Sequence, residues 1–290
     1  MSLIVFHTIA DCKAWLSEER AQKEGKSDTG FVPTMGYLHE GHASLIQKAR
    51  AENDIVVVSI FVNPLQFGPS EDLDRYPRSL KQDLALCETL GVDLVFAPSV
   101  YEMYGETPIM TRIHVDQLGE YLCGASRPGH FDGVCTVVAK LFQIFAPTKA
   151  YFGKKDAQQW RILRRMVADL SIDVSIIPCP IVRENDGLAK SSRNVYLTAE
   201  QRREAPALQQ ALQQVLRRFQ EGERNVDKLR DVAMDRLNAV PGLRLDYLSF
   251  VDDETLTKVM TVDEHHTVLC AVAAYFGSTR LIDNQELVGL

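Results

Sequence analysis

The sequence lacks the cysteine spacing of a disulfide framework or a zinc site. Its six cysteines lie singly along 290 residues, and no two have C-x-x-C spacing. Isolated cysteines of this kind are typical of buried, reduced thiols, so we expect a protein of the cytoplasm. The first residues carry no basic stretch followed by an apolar run, and we therefore expect no signal peptide.

Long apolar runs and an excess of basic residues are also missing. The longest apolar runs, 55–62 and 268–276, are too short to span a bilayer, so we expect no membrane association. A net charge of −7 disfavours a nucleic-acid partner, which requires a basic face. That charge still permits a local cluster of cations around a polyphosphate.

The first 183 residues alternate between strand-like and helix-like segments. The strand-like segments share apolar, β-branched character and are residues 30–33, 55–62, 93–97, 149–152 and 173–178. The continuous run at 55–62 is typical of a strand buried on both faces of a parallel sheet. The alternation predicts an α/β fold with a Rossmann-like doubly wound parallel sheet.

Two of the predicted helices carry an apolar face. Residues 134–145 repeat apolar side chains at the i, i+3, i+4 spacing of a core-facing helix. The next helix repeats the pattern from Leu163 to Leu170, which places Arg161 on its solvent side.

The pattern changes after Arg183. A turn signal at residues 184–187 precedes two helical segments, with a break at Pro206, and then three strand-like runs. Gly277-Ser278 predicts a hairpin between the last two strands. We therefore expect a Rossmann-like domain over residues 1–183 and a smaller α+β C-terminal domain over 184–290.

The segment Pro33–His42 joins a strand to a helix through a glycine-bearing turn. His39 and His42 are three residues apart, so both rings can point to one side of the first helical turn. A helix N-terminus offers unpaired N–H groups to a phosphate, and Gly41 lets a ligand approach the backbone. The motif resembles the signature of the HIGH-type nucleotidyltransferase superfamily. The alternative is two surface histidines beside a turn.

Two further segments carry residues suited to a small acid or a phosphate. In residues 61–69, Gln66 can both donate to and accept from a small hydroxy acid, or it is a loop residue facing water. The segment 127–133 leads into a helix with Lys140. That lysine either contacts a phosphate or extends its ammonium to solvent.

Two segments place cations next to a helix start or a turn. Lys154 and Lys155 stand beside the opening of a helix, where a bound anion would relieve their repulsion. Residues 190–194 combine a lysine, two serines and an arginine. They either clamp a triphosphate or form an exposed linker.

Together these segments closely resemble the pantothenate synthetase (pantoate–β-alanine ligase) family. The resemblance runs from Phe31 to Leu197 and rests on these motifs: Thr34-Met35-Gly36, His39-Glu40-Gly41-His42, Phe61-Val62-Asn63-Pro64, Gln66-Phe67, Tyr76-Pro77-Arg78, Pro128-Gly129-His130-Phe131, Lys155-Asp156, Gln158-Gln159 and Ser191-Ser192-Arg193-Asn194.

The resemblance implies an enzyme of the coenzyme A pathway, an AMP-forming carbon–nitrogen ligase. It condenses pantoate with β-alanine through a pantoyl adenylate and releases AMP and pyrophosphate from ATP. It further implies Mg²⁺ bound with ATP, a homodimer, and a C-terminal domain that closes as a lid.

The resemblance also assigns residues. It implies catalytic roles for His42, His39, Lys155, Ser191, Ser192 and Arg193, with His42 as proton donor. It implies ATP contacts for Met35, Gly36, Tyr37, Leu38, His39, Glu40, Gly41, His42, Gly153, Lys154, Lys155, Asp156, Val182, Lys190, Ser191, Ser192 and Arg193. It implies that Gln66 and Gln159 hold pantoate, with Asn63, His130 and Lys140 nearby, and that Asp83 is the Mg²⁺ ligand.

Two departures and two alternatives remain open at this stage. The family usually has Glu where this chain has Lys154, and often an apolar residue where it has Lys190. Both changes add positive charge near the expected phosphate site. One alternative is an adenylyltransferase acting on another small acceptor. The other is a non-catalytic nucleotide sensor, which would bind ATP without consuming it.

Overall fold

The computed structural model describes residues 3–23, 27–69, 71–263 and 265–289. Its strands are β1 (Ile4–Phe6), β2 (Thr29–Thr34), β3 (Ile55–Ile60), β4 (Leu94–Phe96), β5 (Lys149–Gly153), β6 (Ser175–Cys179), β7 (Leu243–Asp252), β8 (Val268–Phe276) and β9 (Thr279–Leu287). Its helices are α1 (Ile9–Gln22), α2 (Glu40–Glu52), α3 (Leu80–Thr89), α4 (Val100–Tyr104), α5 (Leu122–Ser126), α6 (His130–Phe145), α7 (Ala157–Asp169), α8 (Ala199–Glu204), α9 (Ala207–Gln220) and α10 (Val226–Asn238). Short 3₁₀ turns span Pro64–Gln66 and Ser192–Tyr196.

Six strands form one parallel sheet in the order β1-β4-β3-β2-β5-β6. The predicted α/β fold with a doubly wound parallel sheet is confirmed. The sequence pattern did not identify β1, because three residues are too few to establish a strand period.

The direction in which the sheet grows changes next to β2. From β2 the chain adds β3 and β4 on one side, and it later adds β5 and β6 on the other. Ligands of such sheets bind outside the carboxyl ends of the strands at this switch point. The segments that follow β2 and β5, starting at Met35 and Lys154, leave from that edge.

Helices cover both faces of the parallel sheet. On one face, Val32 of β2 packs with Leu45, Ile46 and Ala49 of α2. On the other, the ring centroid of Phe31 lies 5.1 Å from that of Phe145 in α6. Adjacent residues of a strand point to opposite faces, so β2 is buried on both sides.

The chain divides into two compact units. The first comprises Met1–Val115, Arg127–Lys154 and Gln159–Pro180, and it contains the parallel sheet. The second comprises Asp116–Ser126, Lys155–Gln158 and Ile181–Leu290. The segment that starts α7 therefore belongs partly to each unit: the chain enters the second unit at Lys155 and returns to the first at Gln159.

The second unit contains an antiparallel sheet in the order β7-β8-β9. The apolar faces of α9 and α10 pack into one core with this sheet. Thr198 and Gln201 form a capping box at the start of α8, and the chain restarts as α9 after Pro206. The predicted α+β C-terminal part and its hairpin at residues 277–278 are thus confirmed.

All six cysteines are buried and none is in a disulfide. Burial raises the pKa of the thiols of Cys12, Cys87 and Cys135 to about 12. Among the described residues, no helix has both the length and the apolar character needed to cross a membrane.

Candidate active site

The loop between β2 and α2 has an unusual backbone. Gly36 has a φ of +81°, and the non-glycine residue Tyr37 has a φ of 51°. A Cβ added to Gly36 would lie 2.9 Å from Cγ2 of Ile60 and 3.0 Å from Oδ2 of Asp83. A side chain at position 36 is therefore excluded by both conformation and space.

The carboxylate of Asp83, in the first turn of α3, holds this loop. Its Oδ2 accepts from the N–H of Tyr37 at 2.9 Å, and its Oδ1 accepts from the N–H of Leu38 at 2.7 Å. Asp83 is only 2% exposed. Burial raises the pKa of this carboxyl above its usual value, and the two backbone hydrogen bonds oppose that shift.

The metal role predicted for Asp83 stays a prediction. Each of its oxygens accepts one backbone N–H and keeps a second lone pair, so the two hydrogen bonds do not by themselves exclude a metal ion. Within the described parts of the chain, no cluster of three His, Cys, Asp or Glu residues is placed to hold a metal ion. The observed task of Asp83 is to anchor the loop.

The two histidines cap α2 reciprocally. Nδ1 of His39, the N-cap residue, accepts from the N–H of Gly41 at 3.1 Å. Nδ1 of His42 accepts from the N–H of His39 at 3.2 Å. The ring centroids are 4.1 Å apart, so the rings form one unit at the start of the helix.

These hydrogen bonds also assign the tautomer of each ring. A nitrogen that accepts from a backbone N–H carries no proton of its own, so each neutral ring is protonated on Nε2. Glu40, Gly41 and His42 form the first turn of α2, where the helix dipole favours an anion. The pair thus carries two Nε2–H groups beside a helix end whose dipole favours an anion.

Gln66 ends a 3₁₀ turn that begins at Pro64. Asn63, 1% exposed, caps the turn and donates from Nδ2 to Oε1 of Gln66 at 3.2 Å. Nε2 of Gln66 donates to Sδ of Met35 at 3.0 Å. The side-chain amide is therefore held by two residues, and it does not simply face water.

Helix α6 supports this turn at its first residues. Gly133 lies against it so closely that an added Cβ would be 2.2 Å from the carbonyl oxygen of Leu65. The carbonyl of Gly133 also accepts from Nδ2 of Asn63 at 3.1 Å. Only glycine permits this approach of helix and turn.

His130 holds the same turn through its backbone. Nδ1 of His130 lies 2.7 Å from the carbonyl oxygen of Gln66, and Nε2 lies 3.0 Å from Nη1 of Arg127. Since a guanidinium only donates, Nε2 accepts and Nδ1 carries the proton. Arg127 is in turn paired with Glu71 through two contacts of 2.6 Å.

Lys140 is partly buried beside α4. Its ammonium donates to the carbonyl of Met103 and lies 5.6 Å from the ring centroid of Tyr104. The Tyr104 hydroxyl donates to Oδ1 of Asn63 at 2.7 Å. Lys140 is thus linked to the Gln66 turn through two intermediates.

The Lys154–Gln159 segment contains residues of both units. In the first unit, the N–H of Lys154 donates to the carbonyl of Cys179 at 2.8 Å, next to Gly153. In the second, Nζ of Lys155 lies 3.0 Å from Oδ1 of Asp156. The carbonyl of Lys155 accepts from Nδ2 of Asn284 in β9 at 3.0 Å.

Gln158 and Gln159 have different environments. Gln158 is 4% exposed, and its amide bonds the backbone of Cys123, Leu118 and Tyr121 at 2.7–2.9 Å. Gln159, the predicted pantoate ligand, lies in the first turn of α7 and is partly exposed. Gln158 is thus the structural member of this pair of glutamines.

The segment 182–194 folds back on itself within the second unit. The N–H of Lys190 donates to the carbonyl of Val182 at 2.9 Å, and Nζ of Lys190 pairs with Glu184 at 2.8 Å. Ser191 caps a 3₁₀ turn by accepting from the N–H of Arg193 at 3.3 Å, and Ser192 is 7% exposed. The exposed-linker alternative does not describe this ordered turn.

The family model described as pantoate-beta-alanine ligase matches residues 4–286. The chain belongs to the pantoate-beta-alanine ligase family. It is therefore a carbon–nitrogen ligase, and the resemblance inferred from its motifs is confirmed.

Relatives of this ligase match over nearly its whole length. The pantothenate synthetase of Thermotoga neapolitana is 55% identical, over 98% of this chain and 99% of that protein. The crystal structure of pantothenate synthetase from Thermus thermophilus is 48% identical with a TM-score of 0.91, over 98% and 99% of the two chains. The ligase from Francisella tularensis, complexed with β-γ ATP and β-alanine, is 36% identical with a TM-score of 0.80, over 98% and 97%.

Several residues that shape this ligase site were missed by sequence reasoning. They support predicted residues from elsewhere in the chain: Glu71, Tyr104, Arg127 and Gly133. Arg127 and Gly133 fall in a motif that the sequence singled out, which was a partial signal. Glu71 and Tyr104 gave none, because their partners lie 56 and 41 residues away.

Proposed function

We propose that this ligase joins pantoate to β-alanine in two steps through a bound pantoyl adenylate. In the first, a carboxylate oxygen of pantoate attacks the α-phosphorus of ATP, and the bond to the departing pyrophosphate breaks. In the second, the amine of β-alanine attacks the acyl carbon, AMP leaves, and the nitrogen loses its proton. The products are pantothenate, AMP and pyrophosphate.

The observation that carries this proposal is the reciprocal histidine cap. A preformed helix N-terminus with two Nε2–H donors suits the phosphates of ATP, because it presents fixed donors where negative charge accumulates. We assign His42 to protonate or hydrogen-bond the departing pyrophosphate and His39 to contact the phosphates. The Francisella tularensis relative is complexed with β-γ ATP and β-alanine, which supports ATP and β-alanine as substrates of this ligase.

Gln66 and Gln159 are the proposed pantoate ligands. The amide of Gln66 is fixed by Asn63 and Met35, so it meets the substrate in a set orientation. A neutral amide suits hydroxyl and carboxylate groups of a small acid better than a phosphorylated acceptor. His130 and Lys140 act on this subsite through Gln66 and Asn63.

The cationic residues are proposed to neutralise the phosphates. Attack of a carboxylate on a phosphate brings two anions together, so positive charge is needed at the reacting centre. We assign this task to Lys155 and Arg193, with Ser191 and Ser192 as hydrogen-bond donors. Mg²⁺ is expected to arrive with ATP, bound largely by phosphate oxygens and water.

Three further features remain predictions. Residues 1–183 are expected to bind nucleotide and pantoate, and residues 184–290 to act as a lid that keeps water from the adenylate. The ligase is expected to be a cytoplasmic homodimer. Analytical ultracentrifugation of the purified chain would measure its oligomeric state.

Pyrophosphate exchange into ATP tests the reaction. Pantoate alone should support the exchange, and added β-alanine should yield one AMP and one pantothenate per ATP. Formation of ADP, or exchange that does not depend on pantoate, would overturn the proposal. A dinucleotide product would indicate the adenylyltransferase alternative.

A matched pair of variants tests the pantoate subsite. Gln66→Leu should raise the KM for pantoate about tenfold or more, because it leaves polar groups of the substrate unpaired. Gln82→Leu replaces an exposed glutamine of α3 and should leave the KM for pantoate and the KM for ATP unchanged. Equal values for the two variants would contradict the assignment of Gln66.

A further inference from the structure

We propose that Asp83 is a positioning residue for the loop between β2 and α2, residues 35–39. It acts through the backbone of Tyr37 and Leu38. This inference rests on the proposed binding of ATP phosphates at the start of α2. It gives Asp83 a role in adenylate formation that acts through the backbone of the loop.

The two hydrogen bonds have a geometry that only a carboxylate satisfies. Consecutive N–H groups, of Tyr37 and Leu38, donate to separate oxygens of Asp83 at 2.9 and 2.7 Å. Hydrogen bonds to an ionised acceptor are roughly twice as strong as neutral ones. An asparagine would keep one acceptor and turn an NH₂ group toward the other N–H.

The backbone of the loop needs such an anchor. Gly36 and Tyr37 both have positive φ, a conformation that is strained for a non-glycine residue such as Tyr37. Strained backbone of this kind persists only where the surroundings hold it. Asp83 holds the two peptide groups that follow Gly36, and Thr34 holds a third by accepting from the N–H of Gly36 at 3.1 Å.

The anchored residues directly precede the histidine cap. Leu38 is bonded to Asp83, and the next residue, His39, is the N-cap whose N–H bonds Nδ1 of His42. A shift of Leu38 therefore moves the cap and both rings. The effect should appear mainly in the chemical step at the phosphate, because the Gln66 amide contacts this loop at Met35, upstream of the residues that Asp83 holds.

The test compares Asp83→Asn with Asp93→Asn. Asp93 is a matched control, because its Oδ2 also accepts from a backbone N–H, that of Val56 at 2.7 Å. It lies just before β4 begins, at the amino ends of the strands, whereas the loop after β2 lies at their carboxyl ends. For each variant we would measure pyrophosphate exchange, KM for pantoate, and the urea unfolding midpoint. Hydrogen exchange of the peptide covering residues 35–39 would report on the loop.

Asp83→Asn should lower kcat for exchange about 30-fold or more, with KM for pantoate within about twofold and faster hydrogen exchange at residues 35–39. Asp93→Asn should reduce stability similarly and keep kcat within about threefold. An Asp83→Asn variant that loses stability but keeps kcat within that range would overturn the proposal.

A second variant guards against a failure of Asp83→Asn to fold. Gly36→Ala pushes the loop away from the carboxylate, since its Cβ would lie 3.0 Å from Oδ2 of Asp83. It should show the same loss of kcat, and unchanged kcat would again overturn the proposal. If the unmodified ligase showed no pantoate-dependent exchange, the proposed function would fail, whatever the variants did.

Discussion

Replacing Gly133 by alanine tests whether the packing of α6 sets the pantoate subsite. The added Cβ would lie 2.2 Å from the carbonyl oxygen of Leu65 and 2.6 Å from the nitrogen of Gln66. Ordinary contacts of a Cβ begin near 3.4 Å, so helix and turn must separate by about 1.2 Å. The contacting atoms are backbone, and no side-chain rotation can relieve them.

That displacement predicts a large kinetic effect and a moderate loss of stability. A misplacement of about 1 Å at a binding group can cost about 100-fold in rate, and Gln66 moves with its backbone. Overpacking typically destabilises a fold by about 1–3 kcal/mol, so the variant should still be folded at room temperature. We therefore expect kcat/KM for pantoate to fall about 100-fold while KM for ATP changes by less than about threefold.

Steady-state kinetics with each substrate varied in turn would measure this effect. Gly68→Ala is the matched control, because its Cβ would meet only the side chain of Glu71, with Cγ at an ordinary 3.7 Å. It should keep kcat/KM within about twofold. A folded Gly133→Ala variant with the kinetics of the Gly68→Ala control would refute the reasoning about the turn.

Two further predictions concern charged residues. Lys155→Ala should lower kcat by about 100-fold, because it removes a donor to the transition state. Lys190→Met removes a cation that is paired with Glu184, so it should change only the KM for ATP, and modestly. Equal effects of the two variants would contradict this distinction. Burial raises the pKa of Glu71, but the Arg127 guanidinium outweighs it and holds that pKa below the usual 4.5. The carboxylate therefore stabilises the fold above about pH 4.5 and loses this contribution as pH falls through its lowered pKa. The difference in urea unfolding between the native chain and Glu71→Gln should be largest at pH 7 and should shrink as pH falls below 4.5. A constant difference across that range would contradict the assignment.

Local sequence patterns were enough for most of the elements. The β-branched run at 55–60 and the apolar stripe of α6 were both located, because burial imposes a period on adjacent residues. Arg161 shows the limit of such patterns. It was expected on the solvent side of α7, yet it is 2% exposed and its guanidinium lies 4.1 Å from the ring centroid of Trp160. Leu170, expected in the core, is 53% exposed.

The sequence by itself determined the order of most elements, the family, and the placement of His39 and His42 together at a helix start. Each depends on neighbouring residues, whose spacing settles which side chains share a helix turn. Only the tertiary structure decided that Asp83 anchors a loop 45 residues away and that Glu71, Arg127 and His130 support Gln66. Those contacts depend on which strands become neighbours in the sheet. Hydrogen bonds of about 3 Å between distant segments follow from that arrangement and leave no period in the sequence.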